Sequence, residues 1–359
     1  MAGLEALMRT LVDDGVAMGV QLRVHEGTDE RVLTVGSRER GSDVPPPVDG
    51  RFRIGSTAKT FTAALVLRLV ADGALELDGA VSDHLPALAP DPRITVRMLL
   101  QHTSGVFNHT GEYDADGTFT PGAVPGLGPE WVARRERVSA PEDLVRDSLA
   151  RPLRFAPGTS WSYSNTNYVL ARLLVEQATG SPFPDAMRRH VLEPLRLTDT
   201  VLPETSPEIP GPHAHGYYRY LDGDTWRTAD TTVSDPTWIS AAGDMISTTA
   251  DLHAFVSGLM SGALLPDRLV AAMRTPHPAS GYGLGLFVAP TRCGGTVVHH
   301  HGNFWGRATL MVSSLDGART LTGSVTCGEA DLDLGAQSTA FEAFTQGLVT
   351  EVFCGGRSA

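Results

Sequence analysis

The chain has 359 residues, of which 42% are hydrophobic and 19% are charged, and its formal net charge is −12 at pH 7. This length suits about two domains with a sizeable buried core. The acidic balance argues against partners such as nucleic acid or an anionic membrane surface, and no stretch is long and apolar enough to span a membrane.

Residues 1–16 predict an amphipathic helix, without the basic and apolar segments of a secretory signal. The three cysteines, Cys293, Cys327 and Cys354, are an odd number, which suits reduced thiols. A Cys293–Cys354 bridge stays open if the protein is exported. These features favour a cytoplasmic protein, or a secreted one if the chain is the mature form of an exported protein.

Residues 20–26 and 31–35 predict two strands joined by a short turn. Residues 57–75 are apolar on nearly every side, which predicts a buried central helix. A long stretch rich in helices and loops follows. The C-terminal part predicts strands near 283–289, 295–301, 306–313 and 319–326, and a closing helix over 335–353.

These elements predict an α+β fold with two parts. Residues 1–75 and 276–359 would form an antiparallel sheet flanked by helices, and residues 76–275 a mostly helical lobe. The active site would lie in the cleft between them.

Ser56 and Lys59 form an S-x-x-K motif at the start of the predicted buried helix. Residues three apart on a helix share one face, so the hydroxyl and the amine can approach each other. The lysine could take the serine proton if burial lowers its pKa. Because the same spacing occurs by chance in many solvated helices, the motif needs support from the rest of the chain.

Tyr163 and Asn165 stand just before a helix predicted over 166–177, which Gly180 ends. A tyrosine can relay a proton, and an asparagine amide can bind a carbonyl or an N–H group. Taken alone, this pattern is more typical of a helix start with a core tyrosine.

His299, His300 and His301 end a strand-like run and are followed by Gly302. On a strand, the first and third histidines face one side and the second faces the other. The glycine would allow the backbone of a substrate to approach closely. Adjacent imidazoles cannot all point at one ion, so we expect no metal site and no cofactor.

In this order and spacing, the motifs resemble the β-lactamase-related serine enzymes. That family includes class C β-lactamases, DD-carboxypeptidases, D-aminopeptidases and amidases, and related esterases and transacylases. The secreted actinomycete DD-carboxypeptidases look most similar. The resemblance runs from about residue 22 to residue 354, and it is carried by residues 52–59, 94–105, 163–168, 281–286 and 300–302.

The resemblance implies a two-step reaction through a covalent acyl-enzyme. Ser56 would be the nucleophile and Lys59 its base. Tyr163 would pass a proton to the leaving group and later take one from the incoming acceptor.

The resemblance also implies how a substrate is held. Asn165 would bind the acyl-side amide, and the backbone N–H groups of Ser56 and Asn303 would form the oxyanion hole. His300, in the third motif, would complete the wall of the active-site cleft on that side, and Trp238 would also line the cleft.

Three positions depart from the pattern of DD-carboxypeptidases. His301 stands where a threonine or serine grips a terminal carboxylate, and Phe287 stands where such enzymes can carry an arginine. Trp305 lies where smaller polar residues are common. Two lost charge-assisted contacts to one anion would forfeit about 1.5–3 kcal/mol each. This favours a neutral ester, thioester or amide, unless His301 is protonated and binds an anion.

We therefore expect an enzyme that transfers an acyl group from a neutral small-molecule or peptide substrate to an amine or water. It would be a transacylase, esterase or amidase of the kind used in antibiotic biosynthesis, with Phe287 and Trp305 supplying a dry acceptor pocket. The alternative is a D-Ala-D-Ala carboxypeptidase, transpeptidase or β-lactamase. An inactive binding protein is disfavoured because all the catalytic residue types are present.

The aromatic segment 106–137 predicts a surface loop or a lid over the site.

Overall fold

The structure is a computed structural model and describes residues 2–113, 117–328 and 334–355. The predicted segments that contain residues 1, 114–116, 329–333 and 356–359 therefore lie partly outside the described residues. The helices are α1 (Ala2–Asp13), α2 (Ala58–Ala71), α3 (Val81–His84), α4 (Val96–Gln101), α5 (Gly128–Arg134), α6 (Pro141–Leu149), α7 (Asn165–Thr179), α8 (Phe183–Met187), α9 (Thr249–Met260), α10 (Asp267–Met273) and α11 (Leu334–Cys354). The strands are β1 (Ala17–Glu26), β2 (Asp29–Gly36), β3 (Phe52–Arg53), β4 (Glu112–Tyr113), β5 (Phe119–Thr120), β6 (Tyr217–Asp222), β7 (Thr225–Asp230), β8 (Ile246–Ser247), β9 (Phe287–Pro290), β10 (Thr296–His299), β11 (Gly302–Phe304), β12 (Arg307–Ser314) and β13 (Arg319–Cys327).

The two ends of the chain build one seven-stranded antiparallel sheet, as predicted. Its order is β2-β1-β13-β12-β10-β9, and β11 pairs with β12. Val20 of β1 lies opposite Val325 of β13, which fixes the register between the N-terminal and C-terminal strands. The α+β fold with an antiparallel sheet is thereby confirmed.

Two of the predicted strands have different bounds in the structure. β9 begins only at Phe287, because the Gly283 N–H donates to the Leu286 carbonyl at 2.7 Å and closes a turn before the strand. The strand predicted over 295–301 ends at His299, and a separate short strand follows from Gly302.

The two faces of the sheet are covered differently. Helices α1 and α11 cover an apolar face, where Met8, Leu22 and Leu348 are fully buried. Helix α9 covers the other face, which is rich in threonine, and Thr322 Oγ1 donates to the Thr249 carbonyl at 2.8 Å. This alternation of apolar and polar positions is the period of a strand with different layers on its two sides.

The larger hydrophobic core lies among the helices around α2 and α7. Phe61 of α2 stacks on Phe255 of α9 with ring centroids 3.5 Å apart, and α2 is buried on nearly every side, as predicted. Helix α7 ends at Gly180, whose left-handed backbone (φ 61°) fits the predicted cap. The predicted boundary at residue 275 between the helical lobe and the part that contains the sheet stays a prediction. In the structure, α9 lies before this boundary and packs on the sheet.

The expectation of three reduced thiols is wrong for two of them. Cys293, in the loop between β9 and β10, forms a disulfide with Cys354 at the end of α11. Cys327 is a free, half-buried thiol.

Among the helices that the structure describes, none has both the length and the apolar character needed to cross a membrane.

Candidate active site

Ser56 lies in a single turn of 3-10 helix, Gly55–Thr57, which joins β3 to α2. Lys59, in the first turn of α2, is fully buried and donates from Nζ to Ser56 Oγ at 3.0 Å. The spacing of the S-x-x-K motif thus brings the two side chains together as predicted.

The environment of Lys59 favours its neutral form. Burial lowers the pKa of the amine well below its ordinary value, and the nearby Asp244 carboxylate only partly opposes this. Nζ also donates to the Ala242 carbonyl at 2.7 Å, which fixes its position. A neutral, oriented amine beside a hydroxyl can accept the proton of that hydroxyl.

Tyr163 contacts the same serine. Its hydroxyl is hydrogen-bonded to Ser56, and burial raises its pKa, so the phenol keeps its proton at neutral pH. Lys59 Nζ lies 4.9 Å from the centre of the Tyr163 ring. Ser56 therefore contacts both a base and a neutral proton donor.

Gly302 allows a close approach of Ile54, the residue just before the turn Gly55–Thr57 that carries Ser56, here called the nucleophile turn. A Cβ atom at this position would lie 1.8 Å from the Ile54 carbonyl oxygen. Thr57 Oγ1 ties the same two segments by donating to the His300 carbonyl at 3.1 Å. Ile54 thus fills the space on the Cβ side of Gly302. The expectation that this glycine allows the backbone of a substrate to approach stays a prediction.

His300 points into the interior, as the strand alternation predicts. Its Nδ1 lies 2.9 Å from the His301 carbonyl, which can only accept, so Nδ1 carries the proton. Its Nε2 then accepts from the Tyr282 hydroxyl at 3.1 Å. Burial, reinforced by the charge of Lys59, lowers the pKa of His300 to about 3, so this imidazole is neutral.

His301 faces the opposite side of the strand together with His299, as predicted, and their ring centroids are 4.7 Å apart. The His301 ring also meets Phe341 of α11 edge-on. Burial lowers the pKa of His301 well below its ordinary value. At neutral pH the imidazole is therefore not a cation that could hold a carboxylate.

Two cavities meet at Ser56 and Asn303, which line both of them. The first, here called the Tyr163 cavity, has a volume of about 340 Å³. The second, here called the Asn165 cavity, has a volume of about 260 Å³. The Tyr163 cavity is lined by Tyr163, Phe287, His300, His301, Gly302, Arg307, Gln337 and Phe341, among others. The Asn165 cavity is lined by Thr110, Tyr113, Phe119, Leu127, Asn165, Trp238, Phe304 and Trp305, among others.

Asn165 is held in the second cavity by Thr110, to whose Oγ1 it donates from Nδ2 at 3.1 Å. Its Oδ1 has no hydrogen-bond partner within the described part of the chain, which leaves an acceptor for a ligand N–H. Trp238 forms part of the same wall, as predicted. The shared dry pocket of Phe287 and Trp305 is not found, because these two side chains lie in different cavities.

The segment 106–137 reaches the mouth of the Asn165 cavity. It contains the short hairpin of β4 and β5, and the rings of Tyr113 and Phe119 lie 5.0 Å apart. Both residues line the cavity and are largely exposed. A role as a lid stays a prediction.

Within the described residues, no group of three or more His, Cys, Asp or Glu side chains is placed to hold a metal ion.

Comparison with known proteins decides the family. The model of the family described as Beta-lactamase matches residues 4–316. The chain belongs to this family. The resemblance inferred from the motifs is thus confirmed, as is the fold.

Several relatives show the range of this family. The solved structure of a D-stereospecific amidohydrolase from Streptomyces sp. has a TM-score of 0.84 and 32% identity to this chain, covering 99% of this chain and 98% of that one. Esterase EstB of Burkholderia gladioli is 29% identical over 329 residues, which are 81% of this chain and 80% of EstB. PbpX of Bacillus subtilis (strain 168), whose name assigns it to the penicillin-binding proteins, is 28% identical over 239 residues, 67% of this chain. The chain covers 54% of PbpX, about half its length.

These relatives place the chain among the acyl-transferring serine hydrolases of the Beta-lactamase family.

The structure adds three polar residues whose roles the sequence did not reveal. His102 lies within residues 94–105, one of the motifs that carry the family resemblance, and its ring centroid is 4.4 Å from that of Tyr163. Tyr282, which orients His300, is also in a matched motif. Asp244 follows the turn that holds Lys59, and only its position in the fold marks it.

His102 supports Tyr163 as a neutral ring. Its Nδ1 accepts from the Ser164 N–H at 3.3 Å and lies 3.1 Å from Asn167 Nδ2. Burial lowers its pKa well below the ordinary value, and the charge of Lys59 acts in the same direction. The ring thus packs against the phenol without adding a second positive charge to the site.

Proposed function

We propose that this chain is an acyl-serine amidohydrolase or esterase that cleaves a neutral amide or ester through a covalent intermediate on Ser56. The observation that carries the proposal is the buried Lys59 amine 3.0 Å from Ser56 Oγ, with the Tyr163 hydroxyl bonded to the same oxygen. A serine hydroxyl is a weak nucleophile alone, and these two contacts supply a base and a proton donor.

The reaction follows from these contacts in two steps. Lys59 takes the Ser56 proton as Oγ attacks the substrate carbonyl carbon. The bond to the leaving nitrogen or oxygen then breaks, and Tyr163 gives that atom a proton, which the Lys59 ammonium replaces. Water or an amine enters by the reverse transfers and releases the acyl group. The backbone N–H groups of Ser56 and Asn303, at the junction of the cavities, would stabilise the oxyanion.

The division into two cavities supports a division of the substrate into a leaving group and an acyl group. The leaving group must lie on the side of its proton donor, in the Tyr163 cavity. The acyl group then occupies the Asn165 cavity, where the free Asn165 Oδ1 can accept from an amide N–H. The aromatic walls there suit a large apolar acyl group.

The charge around the leaving-group side supports a neutral substrate. Both His300 and His301 are neutral at neutral pH. Of the side chains described as lining the Tyr163 cavity, Arg307 is the cationic one, and its guanidinium donates to the Ala214 carbonyl. A carboxylate on the leaving group would thus meet, among the described lining residues, a single cation, which is buried and already donates to the backbone.

The names of the relatives support both bond types. One is a D-stereospecific amidohydrolase and another an esterase. We therefore include amides of D-amino acids or peptides among the substrates, and transfer to an amine, as in a biosynthetic transacylase, as a second outcome of the same intermediate. The runner-up is a D-Ala-D-Ala carboxypeptidase, transpeptidase or β-lactamase, and the similarity to PbpX, whose name is that of a penicillin-binding protein, keeps it in view.

The test is to incubate the protein with an uncharged p-nitrophenyl ester, with D- and L-phenylalanine amide, and with a penicillin. Intact mass and product release are recorded for each. We expect acylation by the ester and turnover of the D-amide by the wild type, both lost in Ser56→Ala. Ser261→Ala, which alters an exposed serine at the end of α9, should behave like the wild type.

The penicillin arm separates the two candidates. No persistent adduct is expected if the leaving-group side lacks a carboxylate site. A stable adduct on the wild type, absent from Ser56→Ala, would contradict the neutral-substrate proposal and favour the DD-carboxypeptidase.

A further inference from the structure

Asp244 is an interior carboxyl that the reaction scheme does not use. It is 5% exposed and follows the 3-10 turn Ser240–Ala242. Within the described residues, its Oδ1 is buried and has no hydrogen-bond partner. A carboxylate in such a position is unfavourable unless nearby charges offset its lost hydration.

Two arginines and the Lys59 amine act on this carboxyl. Arg172 Nη1 lies 3.8 Å from Asp244 Oδ2, and Arg53 and, in its protonated form, Lys59 also lower the Asp244 pKa. Burial raises the pKa of Asp244 to about 6, and Arg172 is the strongest of the charges that hold it down. The carboxyl is therefore ionised at neutral pH.

The turn that carries Asp244 also holds the amine of Lys59. The Ala242 carbonyl accepts from Lys59 Nζ at 2.7 Å, and the Asp244 N–H donates to the Ser240 carbonyl at 3.0 Å. Arg172 Nη1 lies 3.3 Å from Ser240 Oγ and so contacts both ends of the turn. One short segment thus carries the acceptor of Lys59 at one position and an anion two residues later.

We propose that Asp244 is a positioning residue that acts with Arg172 to stabilise the ammonium form of Lys59 during acylation. When Lys59 takes the Ser56 proton it becomes a buried cation, and the Asp244 charge partly offsets its desolvation. Arg172 shares the carboxylate, so the anion does not hold Lys59 permanently protonated. The inference rests on the proposed function, because it requires Lys59 to be the base.

The other titratable groups near Lys59 do not supply this charge. The phenols of Tyr163 and Tyr168 keep their protons because burial raises their pKa values. Three histidines share the electrostatic environment of Lys59, and burial lowers their pKa values, so they are neutral. They are His102, His109 and His300.

The test is the pH dependence of kcat/KM for the uncharged ester, whose acid limb reports the base of the free enzyme. Asp244→Asn should move this limb to lower pH by roughly one pH unit, because the amine loses the anion that favours its protonated form. Asp244→Glu should restore a limb close to that of the wild type.

The matched control is Asp251→Asn, which removes another buried carboxyl. Asp251 accepts from the Asp199 N–H and from Thr200 Oγ1, and it is not among the charges that act on Lys59. Its loss can lower stability but should leave the acid limb in place.

A second variant keeps the test decisive if Asp244→Asn does not fold. Arg172→Gln removes the cation that shares the carboxylate, so Asp244 acts on Lys59 alone and the acid limb should move to higher pH. An unchanged limb in the folded variants, with only a uniform loss of rate, would overturn the proposal. Ser56→Ala tests the proposed function separately, since full ester turnover in that variant would remove the basis for any role of Lys59.

Discussion

The two cavities that meet at Ser56 are built from different kinds of structure. The Tyr163 cavity is walled mostly by regular elements, which are α1, β9, β11, β12, β13, the nucleophile turn and α11, and side chains from the segments between elements, among them Tyr163, His300 and His301, complete it. The Asn165 cavity is walled largely by loops, including the segment from Thr110 to Leu127 and the loop that carries Trp238. Groups that transfer protons need fixed positions, whereas an acyl pocket can vary with its loops. The comparison indicates that reactivity and acyl selectivity can be changed separately.

The contact between Gly302 and Ile54, next to the nucleophile turn, should be the most sensitive to substitution. In Gly302→Ala the new Cβ would lie 1.8 Å from the Ile54 carbonyl oxygen, a backbone atom that cannot move alone. We expect the strand and the nucleophile turn to separate, with a loss of about 1–3 kcal/mol in stability and roughly 100-fold or more in kcat/KM on every substrate. Urea unfolding and ester kinetics measure the two effects.

Gly295→Ala is the matched control, since the nearest atom to its new Cβ is Thr291 Oγ1, a side-chain atom at 3.1 Å. It should leave stability and rate nearly unchanged. Wild-type activity in Gly302→Ala would show that the two segments need not touch.

The Tyr163 cavity can be changed alone at Phe287. This ring lies edge-on to Tyr282 at 4.6 Å and stacks on His299 at 5.3 Å. Phe287→Arg would add a cation beside the leaving group, and a charge-assisted contact of about 1.5–3 kcal/mol corresponds to roughly tenfold or more in kcat/KM. We expect that gain for peptides with a free terminal carboxylate, relative to their amides. Phe287→Leu should give no such preference, and an equal effect of Phe287→Arg on both substrates would contradict the assignment of this cavity to the leaving group.

The Asn165 cavity can be changed alone at Trp305. Its ring packs on Tyr218 at 5.0 Å and on Trp131 at 5.8 Å, so its removal opens the aromatic wall. Trp305→Ala should raise KM for esters of aromatic acids by roughly tenfold and have little effect on acetyl esters, because only the large acyl group contacts the wall. The exposed Trp226 on β7 offers a control, Trp226→Ala. A change in leaving-group preference instead would show that the two cavities do not divide the substrate as proposed.

The sequence predicted what depends on local spacing. The apolar pattern gives α2, the three-residue interval places Lys59 beside Ser56, and Gly180 ends α7. The strand period also gives the opposite directions of His300 and His301. Each of these follows from the geometry of one helix or one strand.

The sequence did not predict what depends on distant backbone. Gly302 avoids a clash with Ile54, almost 250 residues away. The sequence alone does not distinguish this role from that of a strand glycine that faces a substrate. Phe287 and Trp305 are near each other in the sequence but are separated by the strands between them. The bridge between Cys293 and Cys354 likewise depends on where α11 ends against the sheet. Such contacts are set by tertiary packing, which residue types alone do not specify.

Asp244 is buried and lines neither of the two cavities as described, so its removal should change stability rather than selectivity. Its pKa in the fold is about 6, against 3.8 ordinarily, so between these values the folded state binds a proton more tightly than the unfolded chain. Stability therefore falls as pH rises through this window, and above it the ionised carboxyl costs the fold up to about 3 kcal/mol. Asp244→Asn should be more stable than the wild type by about 1–3 kcal/mol at pH 7.5, and this advantage should shrink at pH 4.5 in urea unfolding. Arg172 keeps Glu176 as a partner at 3.0 Å in that variant. A difference that does not change with pH would mean that the carboxyl titrates in the fold as it does in the unfolded chain, whereas a difference that grows with pH would mean that the fold raises its pKa and keeps this carboxyl beside the base at a cost in stability.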